Sequence, residues 1–187
     1  MSQEQISRQR ALFARAFAAL KAVPQPLIAG VKGFALGGGF ELALLTDMII
    51  AGENAQFGLP EARVGLIPAN GGTQLLSRAI GRSRAKEMIF TGKRISAREA
   101  LALGIVSKVV PAEQVEEAVW RLAKEICSNA PIAVRQAKKA IDLGTDVDLR
   151  TGMEIENEAY NVNLVTEDRR EGIRAFNEKR PARWQAR

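Results

Sequence analysis

The run Gly37-Gly38-Gly39-Phe40-Glu41 sets consecutive glycines directly ahead of a carboxylate, where an apolar helical pattern begins. Glycine lets backbone approach a ligand closely, and the first N–H groups of a helix lack intrahelical partners and carry the positive end of its dipole. Such groups stabilise a negatively charged oxygen, so Gly38 N–H offers half of an oxyanion hole, with Glu41 beside it as acid or base. The same residues also suit a plainer role, since glycine runs make tight turns and a first-turn glutamate is favoured by the dipole alone. A second carboxylate, Glu61, follows in Gly58-Leu59-Pro60-Glu61. A helix out and a strand back would let Glu41 and Glu61 face one site. Paired carboxylates around one water divide the work when their environments differ: one activates the water, the other transfers a proton.

What the chain lacks narrows the chemistry. It contains no histidine, which excludes Ser-His-Asp and Cys-His nucleophiles, imidazole acid–base work and His-ligated zinc. No metal site is expected. The single cysteine, Cys127, cannot form an intrachain disulfide, and its neighbours Val115, Val119, Leu122 and Ile126 predict a buried small hydrophobe. The net charge of +6 permits attraction to anions, whether a phosphate-bearing ligand or a nucleic acid. Basic residues are scattered and the aromatics, 5% of the chain, do not interleave with them, so a base-stacking platform is absent and nucleic acid is not the expected partner. RNA contact through Arg8, Arg15 and Lys21 of the first helix is the competing reading.

The elements that must position these residues are legible as patterns. At 187 residues, 47% hydrophobic and 26% charged, the chain reads as one globular domain or a domain with an appendage. Ser2 and Gln5 form a capping box for a helix to about Ala22, stopped by Pro24 and Pro26. Leu27–Val31 and Met48–Ala51 read as buried strands, with the glycine turn and a helix of Phe40 to Leu45 between them. Gln56-Phe57-Gly58 reads as a short extended piece. A second glycine cluster, Asn70-Gly71-Gly72, opens a helix through Ile80; Ser96 and Glu99 cap another, and Val106 to Val110 is a further strand. From Ala112 the pattern is helical, with breaks at Ala130-Pro131, Gly144 and Val165-Thr166. No apolar run reaches membrane-span length and Met1-Ser2-Gln3-Glu4-Gln5 carries no signal pattern, so a cytoplasmic location, or an organelle matrix, is expected.

Taken together, Pro26 to Gly33, Ala35 to Glu41, Phe57 to Glu61, Ile67-Pro68 with Gly71-Gly72-Thr73-Gln74, Thr91-Gly92 and Gly172 to Arg180 resemble the crotonase, or enoyl-CoA hydratase/isomerase, superfamily. The C-terminal half looks most like methylglutaconyl-CoA hydratases. The resemblance implies an α/β fold: a crotonase-like ββα spiral core over residues 1–110 and a C-terminal helical trimerisation region over residues 111–187. It implies a homotrimer or dimer of trimers acting on an acyl-CoA thioester, with coenzyme A as part of the substrate and no separate cofactor.

By the same resemblance, Glu41 orients or deprotonates water, Glu61 exchanges the proton at the α-carbon, and Gly38 N–H holds the thioester oxygen. Lys179 and Phe176 would contact CoA or a neighbouring subunit's site, the plain alternatives being a solvated lysine and a core aromatic. Carrying both glutamates favours hydration over isomerisation. Ala69 stands where the family usually has glycine, and keeps a usable N–H if its φ is negative. The family's upstream Ala-Gly-Ala-Asp-like segment has no match, so the chain reads as N-terminally truncated and lacks an assignable second oxyanion donor. A non-catalytic assembly subunit is therefore a further alternative.

Overall fold

The computed structural model describes residues 2–187. Helix α1 (Gln3–Lys21) opens on the expected capping box, Gln5 N–H donating to Ser2 Oγ at 3.2 Å and Ser2 N–H to Gln5 Oε1 at 2.8 Å. It ends ahead of Pro24, whose ring cannot continue a helix. The chain then lays strands alternately on two sheets. Strands β1 (Ile28–Val31) and β3 (Met48–Gly52) pair in parallel in the first, and β2 (Phe34–Leu36) and β4 (Gln56–Gly58) in the second. Helix α2 (Gly38–Leu44) connects β2 to β3. This alternation is the ββα spiral.

After β4 come a 3-10 turn (Glu61–Val64), α3 (Gly72–Ile80) and α4 (Arg82–Thr91). Strand β5 (Arg94–Ser96) then adds antiparallel to β4, and α5 (Ala97–Ala102) starts on the Ser96/Glu99 capping box. Strand β6 (Lys108–Val110) completes the first sheet in parallel with β3. Helices α6 (Val115–Cys127), α7 (Pro131–Gly144), α8 (Leu149–Leu164) and α9 (Glu167–Asn177) follow.

The chain forms two compact units, one of residues up to Val23 with Leu27–Trp120 and the other of Pro24–Pro26 with Arg121–Arg187. In the first, Phe40, Phe57, Leu59 and Leu76 are wholly buried, and the Phe40 and Phe57 rings meet at 5.4 Å with a 54° tilt, a favourable aromatic geometry. In the second, α7 and α8 approach through Gly144 and Gly152; a Cβ on Gly152 would lie 3.1 Å from the Gly144 carbonyl oxygen. The buried carboxylates of Asp168 and Glu171 on α9 gather the C-terminal tail. Asp168 accepts from Gln185 and Ala186 N–H at 2.6 and 2.9 Å, and Glu171 accepts from Arg180, Arg174 and the Arg183 N–H.

Several expectations need correction. Helix α2 begins at Gly38 rather than Phe40, because Gly37 provides the turn. The strands β2 and β5 were not expected; each is three residues long, too short to show an alternating pattern. Only Lys108–Val110 of the Val106–Val110 run is strand. Cys127 is exposed: it is the last residue of α6, one position past the stripe of Val115, Ala118, Leu122 and Ile126, and so is turned off it. Phe176 is not a core aromatic, being 84% exposed. No helix among the described residues is long and apolar enough to cross a membrane.

Candidate active site

Gly37 is the hinge of the site. Its φ of 55° and ψ of −129° lie where side chains are strained. Its N–H donates to the Gly58 carbonyl at 2.9 Å, tying the end of β2 to the end of β4, and its own carbonyl accepts from Phe40 and Glu41 N–H, both at 2.9 Å. Gly38 is therefore the first residue of α2, with an N–H that has no intrahelical acceptor. Gly38 and Gly39 are exposed, and a Cβ at either would meet no heavy atom within 4 Å. Open space lies over this end of the helix.

Glu41, one turn in, is only 2% exposed. A buried carboxylate requires donors, and the chain supplies them from the second glycine cluster. Oε1 accepts from Asn70 N–H at 2.7 Å and Gly72 N–H at 2.9 Å, while Oε2 accepts from the Asn70 side-chain amide at 3.2 Å. Gly72 is the first residue of α3, so Glu41 sits as the anion at that helix's N-terminus. The fit requires glycine at 72, since a Cβ there would lie 2.8 Å from Pro68 Cβ and 2.9 Å from Glu41 Oε1.

Glu61 lies against Gly37, where a Cβ would lie 3.3 Å from Glu61 Oε1, and is near enough to Glu41 to feel its charge. Its Oε2 is buried with no hydrogen-bond partner among the described residues. Burial pushes the Glu61 carboxyl above its ordinary range; a backbone hydrogen bond opposes this, and the charge of Glu41 adds to it. Arg63 pins the turn that carries Glu61, donating from Nε and Nη2 to the Thr91 carbonyl at 3.3 and 3.2 Å. Its side chain crosses Gly92, where a Cβ would come within 2.8 Å of Nε.

The structure thus brings Gly38, Glu41 and Glu61 together in the first unit. Phe176 and Lys179 belong to the second, where both are exposed and Lys179 adopts a φ of 52°. Ala69 has an ordinary negative φ and keeps the N–H orientation open to a side-chain-bearing residue. The sequence marks Gly37 and the Asn70-Gly71-Gly72 cluster as turns before helices, but not as the groups that hold Glu41 and flank Glu61. A signal existed: a glutamate inside an apolar pattern needs donors, and a glycine cluster before a helix offers them. Among the described residues no cluster suited to a metal occurs.

A family model described as enoyl-CoA hydratase/isomerase matches residues 1–187. YngF of Bacillus subtilis (strain 168), whose name provisionally gives enoyl-CoA hydratase/isomerase, is 49% identical over 97% of this chain and 70% of its own length. The mitochondrial methylglutaconyl-CoA hydratase of Mus musculus is 46% identical over 87% of this chain and 53% of its own. The crystal structure of an enoyl-CoA hydratase from Bacillus anthracis superposes with a TM-score of 0.97 at 46% identity, covering all of this chain and 72% of that one. The chain spans 54% to 64% of the length of several other curated relatives.

Proposed function

The chain belongs to the enoyl-CoA hydratase/isomerase family, and from that premise we propose that its site adds water across the 2,3 double bond of an enoyl-CoA thioester. The observation that carries this reading is the unlike surroundings of two neighbouring glutamates. Glu41 is held in place by three donors, the N–H groups of Asn70 and Gly72 and the Asn70 side-chain amide. Glu61 has a buried, unpartnered oxygen and a carboxyl shifted toward its protonated form. One is set up as a base, the other as an acid.

In the proposed reaction, the Glu41 carboxylate takes a proton from water as the water oxygen bonds to C3. The electron pair of the double bond moves onto the thioester, whose oxygen gains charge and is held by Gly38 N–H in the open space over α2. Protonation of C2 by the Glu61 carboxylic acid completes the addition and leaves Glu61 ionised and Glu41 protonated; proton exchange restores the pair. Losing one oxyanion donor typically costs about 3 kcal/mol, or a hundredfold or more in rate. The substrate's coenzyme A portion is the only cofactor-like group required, with Phe176 and Lys179 as candidates to contact it.

We also propose assembly as a homotrimer or dimer of trimers. The exposure of Leu149, Val165 and Phe176 at 80%, 77% and 84% supports a partner-covered surface on the second unit.

The test is loss of enoyl-thioester absorbance with a short 2-enoyl-CoA, with sedimentation of the same preparation to read its assembly. Glu41→Gln and Glu61→Gln should each lower kcat by about a hundredfold or more. No hydration by the unaltered protein, or full activity in both variants, overturns the reading. Double-bond migration in place of hydration would assign the site to the isomerases.

A further inference from the structure

We propose that Asn70 is a positioning residue for Glu41, its side-chain amide fixing the carboxylate oxygen that takes the proton from water. The inference rests on the hydratase reading above. It starts from the lone pairs of the carboxylate. Each oxygen has two in-plane acceptor directions. On Oε1 both are taken, by Asn70 N–H at 2.7 Å and Gly72 N–H at 2.9 Å. Oε2 receives one donor, the Asn70 amide at 3.2 Å, and no other protein donor to it occurs among the described residues. One lone pair therefore remains, and it is on Oε2. The longer bond also withdraws less charge from this oxygen than the two short ones do from Oε1.

The site is built so that the backbone and the side chain of one residue serve different oxygens. The Oε1 bonds come from main chain at the start of α3 and persist with almost any side chain at 70. The Oε2 bond disappears when the amide is removed. Because an ionised carboxylate only accepts hydrogen bonds, the amide must turn its NH2, and not its carbonyl, toward Glu41. Asn70 precedes α3 rather than lying inside it and has an ordinary negative φ, so replacing it removes a contact without disturbing a helix interior. Without that contact the Oε2 lone pair has no protein partner to set its direction, and alignment with the attacking water is lost.

Asn70→Ala should lower kcat for a short 2-enoyl-CoA about tenfold while leaving KM within about twofold, the signature of an interaction used in the chemical step. Its thermal midpoint should stay within about 2 °C of the unaltered protein, since only one partly exposed bond is lost. The decisive comparison is the same substitution in a Glu41→Gln background. If Asn70 acts through Glu41, Asn70→Ala there changes the residual rate by less than about twofold. A full tenfold loss in that background overturns the inference, as does an unchanged kcat in the single variant or a rise in KM alone. These outcomes leave the hydratase reading standing. Absence of hydration in the unaltered protein removes both.

Discussion

Glu41 and Glu61 are chemically identical side chains whose difference is made by what surrounds them. Glu41 receives donors from Asn70 and Gly72, whereas Glu61 holds a buried oxygen that receives none. The second condition has a consequence for stability. Burial raises the Glu61 carboxyl above its ordinary value of 4.5. The folded state therefore favours the neutral form, an advantage complete below the ordinary value and lost as pH rises through the raised one. Glu61→Gln, which is neutral at every pH, should melt higher than the unaltered protein at pH 8, with the difference shrinking toward pH 4. Thermal melts across that range should show the gap between the two proteins widening as pH rises. A difference independent of pH would mean that Glu61 ionises without penalty.

At the scale of elements, two helix starts converge on one carboxylate. Helix α2 carries Glu41, and the N–H groups that receive it come from Gly72 at the start of α3 and from Asn70 just before it. The glycines at these starts do different work. Gly72→Ala drives a methyl to 2.9 Å from Glu41 Oε1 and 2.8 Å from Pro68, so it should destabilise by about 1–3 kcal/mol, as overpacking does, and abolish activity by displacing Glu41. Gly38→Ala meets nothing within 4 Å and should melt within about 1 °C of the unaltered protein, as an open surface substitution does. A loss of hydration in a fully stable Gly38→Ala protein would locate bound substrate over that position. Equal stability of the two variants would contradict the packing around Gly72. The capping boxes at Ser2 and Ser96 and the break at Pro131 were legible because caps and proline act within a few residues. The strands β2 and β5 were not, because three-residue strands exist through pairing with β4 rather than through their own pattern.

For the molecule as a whole, the tail is organised by charge. In the second unit Glu171 is held well below the usual carboxylate range, first by Arg180 and then by Arg174. Trp184 packs over Gly172, where a Cβ would lie 3.2 Å from its ring, and donates to the Ser128 carbonyl at 2.6 Å. A depressed carboxyl adds stability that is present above its ordinary value of 4.5 and is lost as pH falls below it toward the depressed one. Glu171→Gln should therefore melt below the unaltered protein at pH 7, with the gap closing progressively as pH falls below about 4.5. Amide exchange at Arg183, whose N–H donates to Glu171 at 2.9 Å, should quicken in the variant. Slow exchange there would show that the tail is held by Trp184 and Asp168 alone.

The sequence by itself determined which groups can react. It places Glu41 and Glu61 in two glycine-bearing motifs, leaves a helix N-terminus open after a glycine run and carries no histidine, and these with the ordered motifs were enough to indicate the family. Only the tertiary structure decided what surrounds each glutamate. Whether a carboxyl holds or releases its proton depends on burial and on the donors that reach it. The donors to Glu41 come from Asn70 and Gly72, 29 and 31 residues away along the chain. No local pattern records an encounter over that separation, because it exists only once α2 and α3 have packed.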